Sequence, residues 1–362
     1  MPKFMSSDFI DFSTIRRALV VKLRHHGDVL LPSPVFTVLK NHAPHIEIDA
    51  LVYADTAEML SGHPAISQLH CIDRRWKKEG RFAVLRHQWR LLRVLRARRY
   101  DLLIHLTDSS HGATLGFFLN PRFAVAADAR PKRGRWWHAQ FSHLYRLPPT
   151  PRHRVEIHLD ALRRLGLQPA EDERRLMLVP GSEAEQIVDA LLGEHRLTRK
   201  GFIHLHPTSR WLFKCWTPEG YAGLINHLQS GGETIVVTAA PTEEERNFVG
   251  RILPLLKKPV IDLTGRLTLK QLAALTARAR LFIGVDSVPM HIAAAMQTPV
   301  VALFGPSGEQ EWGPWQVVSQ VVTSDHSCRP CGMDGCGGSK ISDCLVMLPV
   351  EHVLSVVREL LK

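Results

Sequence analysis

Four stretches of the chain gather side chains able to move a proton or hold a phosphorylated ligand. The first is Lys22-Leu23-Arg24-His25-His26-Gly27-Asp28-Val29-Leu30-Leu31-Pro32. Asp28, at the start of a helix, is of the right type to take a proton from a substrate hydroxyl. An aspartate there would serve equally as the helix N-cap. Gly27 permits a sharp turn just before it. Arg24, His25 and His26 would meet an anionic acceptor or stand in a solvated turn.

The second stretch is His206-Pro207-Thr208-Ser209-Arg210-Trp211-Leu212-Phe213-Lys214-Cys215-Trp216. Its hydroxyls at Thr208 and Ser209, its backbone N–H groups and the Lys214 cation suit a diphosphate. Lys214 would offset the charge of a leaving nucleoside diphosphate. A loop with a capping hydroxyl and a surface lysine is the plainer use of the same residues. In the third, Gly284-Val285-Asp286-Ser287-Val288-Pro289-Met290-His291, Asp286 or Ser287 caps a helix with Pro289 in its first turn. The N–H groups left free at that helix start can hold a phosphate, while Asp286 or His291 reaches a sugar. The fourth is Ala239-Ala240-Pro241-Thr242-Glu243-Glu244-Glu245. A carboxylate after a strand can accept from ribose hydroxyls, and an acidic first turn also simply favours the helix. Glu243 is taken as the contact, with Glu244 and Glu245 left open.

These stretches need strands to carry them. Ala18–Leu23, Ile46–Val52, Asp101–Leu106, Phe202–Leu205, Thr234–Thr238, Leu281–Gly284 and the run from Val300 read as strands, Ile46–Val52 by half-buried alternation. Helices are predicted at Pro34–Asn41, Pro218–Leu228, Glu243–Leu253, His291–Met296 and Val350–Leu361. Alternating strands and helices mean open parallel sheets. The pattern restarts after a joint between Gly166 and Gly181. The expected domains are 1–170 and 181–345, with 346–362 as a closing helix. Ligands of such sheets sit outside the carboxyl ends of the strands, here in a cleft between the halves. Neither a G-x-G-x-x-G after the first strand nor a G-x-x-x-x-G-K-[ST] occurs, which counts against dehydrogenase and P-loop kinase chemistry.

Composition narrows the partners. The 362 residues carry 46 Lys and Arg against 35 Asp and Glu, a net charge of +11. Such a balance points to phosphate esters, a membrane surface or nucleic acid. Between Arg74 and Tyr100 lie eleven Lys or Arg and one acid, Glu79, interleaved with Phe82, Leu85 and Trp89. Arg130, Lys132, Arg133, Arg135, Trp136 and Trp137 form a second basic cluster. Both suit an anionic membrane interface or a phosphorylated glycolipid. A solvated basic helix is the alternative, and without a recognised nucleic-acid module no nucleic-acid partner is expected. No signal peptide is read at the start, and Leu281–Phe304 is interrupted by Asp286, Pro289 and His291, making it a poor membrane span. Cys328, Cys331, Cys336 and Cys344 cluster without a CxxC…CxxC repeat, leaving zinc, a redox role or reduced structural thiols open.

Taken in order, KLRHHGDVLL, HPTSRWLFKCW, GVDSVPMHIAAA and TPVVALFGPSG resemble the ADP-heptose:lipopolysaccharide heptosyltransferases of glycosyltransferase family 9. The resemblance spans most of the chain and is strongest in the second half. It implies an α/β GT-B fold of two Rossmann-like domains, the first holding the lipopolysaccharide acceptor and the second ADP-heptose. Asp28 matches the family's base, and Lys214 the lysine on the donor phosphates. Thr208 and Ser209 match its phosphate-loop hydroxyls, and Asp286, Ser287 and His291 its donor motif. It implies an inverting transfer of heptose to the heptosylated inner core, of heptosyltransferase III type, with no cofactor or metal required. Such an enzyme would be cytoplasmic and peripheral at the inner membrane. Heptosyltransferase I or II, another family 9 sugar transferase, or a non-catalytic sugar-nucleotide or glycolipid binder are the alternatives. One departure is that Pro289, having no N–H, cannot donate to a ligand where many members carry a glycine-rich turn.

Overall fold

The computed structural model describes residues 9–107, 109–128 and 133–362, so Arg130 and Lys132 of the second basic cluster lie outside the described residues. The chain splits into two compact units, Met1–Met177 and Leu178–Lys362. Each is built on one six-stranded sheet, and every strand pair is parallel.

The first sheet contains β1 (Arg17–Val21), β2 (Glu47–Tyr53), β3 (Gln68–Ile72), β4 (Leu102–His105), β5 (Phe123–Ala127) and β6 (His143–Tyr145), in the order β3-β2-β1-β4-β5-β6. The second contains β7 (Ile203–His206), β8 (Ile235–Val237), β9 (Ile261–Asp262), β10 (Leu281–Val285), β11 (Val300–Leu303) and β12 (Ser319–Val322), in the order β12-β11-β10-β7-β8-β9. Both are the doubly wound order of Rossmann-like domains, with the chain reversing its walk between the first and fourth strands of each sheet. Those switch points lie between β1 and β4, and between β7 and β10.

The apolar runs form strands because helices cover both sheet faces. Ala18, Leu19, Val20 and Val21 of β1 are all buried, as are all four residues of β4, β7 and β11. Parallel sheets covered on both sides favour such runs over alternation. The half-buried alternation expected for Ile46–Val52 is therefore corrected. The strand runs from Glu47 to Tyr53 and its five inner residues are all buried, Asp49 included. Asp49 is accommodated by hydrogen bonds from Arg98 Nε at 2.8 Å and the Tyr100 hydroxyl at 2.6 Å. These partners precede β4, so the network sits at the amino ends of the strands, away from the ligand edge. Burial opposes ionisation of Asp49. Hydrogen bonds from His70, Arg98 and Tyr100 and the charge of Arg98 overcome it and hold the carboxyl below its ordinary range.

The helices of the first unit are α1 (His26–Leu30), α2 (Ser33–His42), α3 (Arg81–Arg98), α4 (Ser110–Leu119), α5 (Arg135–His138) and α6 (Arg154–Leu165). Seven of the twelve residues of α6 are buried, and Gly166 ends it at φ 105°. A Cβ there would lie 2.9 Å from the Phe9 ring, so packing and backbone both demand glycine. In contrast, α3 is 18 residues long and buries only Leu95. The second unit adds α7 (Ser182–Glu194), α8 (Pro218–Ser230), α9 (Glu243–Ile252), α10 (Leu269–Arg278), α11 (Val288–Ala295), α12 (Glu309–Trp312), α13 (Asp343–Val346) and α14 (Val350–Leu361). The last helix packs on α8 and β12, as part of the second unit.

Candidate functional site

In the first unit the loop leaving β1 runs straight into α1. Two bonds tie it to the loop leaving β4. The buried Lys22 Nζ donates to Leu106 O at 3.0 Å, and the Leu23 N–H donates to Thr107 Oγ1 at 3.1 Å. His158 Nε2 lies 3.3 Å from the same ammonium. Burial, and the adjacent cation next, push His158 well below its ordinary pKa, so it accepts. Asp28 is half-buried in the first turn of α1, while the N-cap position belongs to His25, which makes no capping bond. Among the described residues no hydrogen bond or ion pair engages the Asp28 carboxylate. The capping use is therefore not realised, and the carboxylate keeps its acceptor capacity for a ligand. Gly27 is a correction. It lies inside α1 and is absent from the positive-φ residues, so the turn does not draw on glycine's conformational freedom. Arg24 and His25 are exposed beside Asp28, whereas His26 Nε2 is engaged with Asp55 O at 2.7 Å.

In the second unit the loops leaving β7 and β10 meet at the switch point. Lys214 Nζ donates to Asp286 Oδ2 at 2.6 Å, with the side chains 24% and 8% exposed. A cation and an anion thus stand at the switch point, where doubly wound sheets hold their ligands. Ser287 takes the N-cap position of α11, but its hydroxyl turns back toward Val285 O at 3.3 Å and caps nothing. The first turn of α11 has no side-chain cap; Pro289 carries no N–H and the Met290 N–H donates to Ser287 O at 3.2 Å, which leaves the Val288 N–H for a ligand. His291 is buried in the same helix. Ser209 is buried, and its hydroxyl accepts the Trp211 N–H at 3.3 Å.

Thr208 is used differently from the expectation of direct phosphate contact. It is fully buried, and its hydroxyl donates to Glu245 Oε2 at 2.6 Å. That oxygen also accepts the Ala240 N–H at 3.1 Å, so Glu245 joins the loops after β7 and β8. Glu243, by contrast, is exposed at the start of α9, beyond the Thr242 cap.

A polar chain runs inward from Thr208, and its directions can be worked out. Thr276 Oγ1 donates to Leu272 O at 2.7 Å, so it accepts from His204 Nδ1 at 3.0 Å. Burial, with nearby His206 adding to it, holds His204 neutral far below its ordinary pKa. Its Nε2 therefore accepts from Thr238 Oγ1 at 2.7 Å. Thr238 Oγ1 in turn accepts from His206 Nδ1 at 2.8 Å. Burial lowers His206 to about 3, so its Nε2 presents a lone pair 3.4 Å from Thr208 Oγ1 and 3.9 Å from Glu245 Oε2. The loop after β7 thus rests on an internal polar support. Glu245 was legible in principle. It falls on the buried stripe of α9 with Phe248, Val249 and Ile252.

The cysteine-rich segment is stitched to the same edge. Arg329 Nε donates to Gly305 O at 2.8 Å, and Ser342 Oγ donates to Phe213 O at 2.6 Å. Cys328, Cys331 and Cys336 are exposed free thiols and Cys344 a buried one. Among the described residues no three His, Cys, Asp or Glu side chains come together as a metal site.

Two doubly wound domains, one with an unengaged carboxylate after its first strand and the other with a lysine–aspartate pair at its switch point, define a GT-B glycosyltransferase. The chain belongs to glycosyltransferase family 9 (heptosyltransferase), whose model matches residues 88–341. It is 33% identical to lipopolysaccharide heptosyltransferase 3 of Escherichia coli K12 over 94% of this chain and 96% of that protein. It is 26% identical to lipopolysaccharide heptosyltransferase 1 of Pseudomonas aeruginosa over 87% of this chain and 86% of that one. Among solved structures, a family 9 glycosyl transferase from Veillonella parvula superposes with a TM-score of 0.83 at 22% identity, covering 98% of this chain and 99% of that chain. The Escherichia coli heptosyltransferase WaaC with ADP superposes with a TM-score of 0.72 at 20% identity, covering 95% and 99%.

Proposed function

We propose that this chain transfers heptose from ADP-L-glycero-D-manno-heptose to the heptosylated inner core of lipopolysaccharide, as a third, branching heptose. The observation carrying the reaction is the pairing of two features: an Asp28 carboxylate with no structural duty, and the Lys214–Asp286 pair at the β7/β10 edge. The subtype rests on likeness to heptosyltransferase 3 over nearly the whole of both chains.

In this reading Asp28 takes the proton of an acceptor hydroxyl as its oxygen attacks the anomeric carbon. The bond from that carbon to the β-phosphate oxygen breaks on the opposite face, inverting the centre. The electron pair leaves with ADP, and Lys214 and the Val288 N–H at the start of α11 offset its charge. Ser209, Ser287 and His291 line the donor side, Thr208 acts through Glu245, and the ribose falls to the acidic loop 239–245. Arg24, His25 and His26 meet the phosphorylated acceptor. The residues of the protein supply the base and the electrostatic stabilisation, so the reaction is written without a metal.

We further infer work at the cytoplasmic face of the inner membrane, held peripherally. Among the described residues no helix is long and apolar enough to cross a membrane. The loosely packed α3 turns Phe82 (90% exposed), Leu85 and Trp89 outward amid exposed Arg81, Arg86, Arg90 and Arg93. On α4 and α5, Phe117 and Trp136 are exposed too, their rings 6.4 Å apart. Aromatic and basic residues on one surface suit an anionic interface.

The test is incubation of the purified protein with ADP-heptose and cores truncated at successive heptoses, followed by mass spectrometry. Gain of one heptose on the core already carrying two supports the reading. Gain only on a shorter core moves the subtype to the first or second transferase. No gain on any core, with ADP still bound, overturns heptose transfer.

A further inference from the structure

The loop after β11, Gly305-Pro306-Ser307-Gly308, has been given no task so far. It leaves the sheet at the same carboxyl edge as the loops after β7, β8 and β10, because all these strands run parallel. Its neighbours hold it from behind. The carbonyl of Gly305 accepts from Arg329 Nε at 2.8 Å, and the carbonyl of Pro306 accepts from the Gly332 N–H at 2.8 Å. Arg329 also donates to Glu309 Oε2 at 3.2 Å and Ser324 O at 3.4 Å, and its side chain is 7% exposed. Against Gly305 packs Leu345, so close that an added Cβ would lie 2.5 Å from it. A buried arginine whose three nitrogens reach three separate acceptors is expensive to desolvate and fixes geometry where it is kept.

The carbonyls of Gly305 and Pro306 are thereby engaged, while donors of the loop are left over. The half-buried Ser307 has a hydroxyl with no partner among the described residues, and the amides of Ser307 and Gly308 donate to no carbonyl there. A loop held from behind that presents a hydroxyl, able to donate and accept, beside two amides fits a ligand rich in hydroxyl groups. The strand order says which part of the donor that is. The acidic loop after β8 takes the ribose and the β7/β10 switch point the diphosphate. A nucleotide sugar laid along the sheet edge in that direction continues past β10 to β11.

We infer that Ser307 binds a hydroxyl of the transferred sugar, and that Arg329 is a positioning residue that holds Ser307 in place. The inference rests on the proposed donor, a nucleoside diphosphate sugar, and adds a contact that reads its sugar rather than its nucleotide.

The experiment compares Ser307→Ala and Arg329→Lys with wild type. KM for ADP-heptose and kcat are read from ADP release, and the inhibition constant of ADP from competition. Circular dichroism melting verifies the fold. Ser307→Ala should raise KM for ADP-heptose about threefold to tenfold, the worth of one neutral hydrogen bond, with the ADP constant unmoved. Arg329→Lys keeps the charge but loses the fork, and should shift KM the same way with the ADP constant again unmoved. A parallel rise in the ADP constant would put the loop on the nucleotide and overturn the inference, as would an unchanged KM in Ser307→Ala. If wild type neither turns over ADP-heptose nor prefers it to ADP, the proposed donor falls and this contact falls with it. If wild type prefers it and Ser307→Ala prefers it equally, only the contact falls.

Discussion

Replacing Asp28 by Asn separates chemistry from folding at one atom pair. The side chain is half-buried in the first turn of α1, and no described residue hydrogen bonds to its carboxylate. Removing the charge therefore breaks no protein contact. The loss to the fold is a favourable interaction with the helix start, about 0.3–1 kcal/mol. For a unit of this size that is roughly 1–4 °C of melting temperature. The rate should respond on another scale. A positioned base contributes about 10²–10⁴-fold, which is roughly 3–5 kcal/mol at 1.36 kcal/mol per decade. The assay is ADP release under saturating donor and acceptor, beside a melting curve on the same preparation. KM for ADP-heptose should stay within about twofold, because the donor is held by the second unit and carboxamide and carboxylate have nearly one shape. A kcat loss below about tenfold would refute Asp28 as the base. So would a melting temperature lowered by ten degrees, since the carboxylate would then have a structural partner.

Four further outcomes follow from other parts of the molecule. Lys214→Ala leaves Asp286 without its 2.6 Å partner and should weaken ADP binding in calorimetry by about tenfold or more, the loss of a charge-assisted contact of about 1.5–3 kcal/mol. Glu245→Leu strands the Thr208 hydroxyl and the Ala240 N–H, and should cost about 2–5 kcal/mol in urea unfolding with ADP affinity falling alongside. Asp49 is ionised below its ordinary range when folded. Its contribution is fully present above the unfolded value of about 3.9 and is lost as pH falls through the lower folded value. Asp49→Asn should therefore flatten the acid limb of a stability–pH curve while lowering stability at pH 7 by about 1–3 kcal/mol. Phe82→Ser with Trp89→Ser should cut co-sedimentation with phosphatidylglycerol vesicles several-fold while turnover of a detergent-dispersed core stays put; unchanged sedimentation would remove α3 from the membrane face.

What could be read from the residues alone was mostly local. Helix α8 was legible because Thr217 caps it, Pro218 opens it and Gly231 follows it. Strands β1, β2, β4, β7, β8, β10 and β11 were legible as apolar runs, whereas β5 and the four edge strands β3, β6, β9 and β12 were not; burial on both faces follows from helices that only the assembled sheet reveals. Asp28 was found by its place after β1. Its freedom from a capping bond was not foreseeable, because His25 takes the cap position instead. Glu243, Glu244 and Glu245 look alike as an acidic first turn, and only the spacing of Glu245 with Phe248, Val249 and Ile252 marks it on the inward stripe of α9. A lone acid on an apolar stripe is a signal for a buried hydrogen-bond partner, here Thr208, 37 residues earlier. Contacts such as Lys214 with Asp286, 72 residues apart, depend on which strands become neighbours and leave no trace in local spacing.

If the proposed reaction holds, the lysine–aspartate pair also bears on how the product leaves. Lys214 has an anion of its own chain at 2.6 Å, so in the proposed reading the site is no bare positive well waiting for any phosphate. An incoming diphosphate competes with Asp286 for one cation, and its net gain is a difference between two attractions rather than the whole of one. That caps the affinity for ADP as much as for the donor. When the bond to the sugar breaks, the carboxylate is at hand to reclaim the lysine. In the proposed reading the aspartate is an exchangeable counter-charge, trading tightness of binding for the speed with which the spent nucleotide is let go.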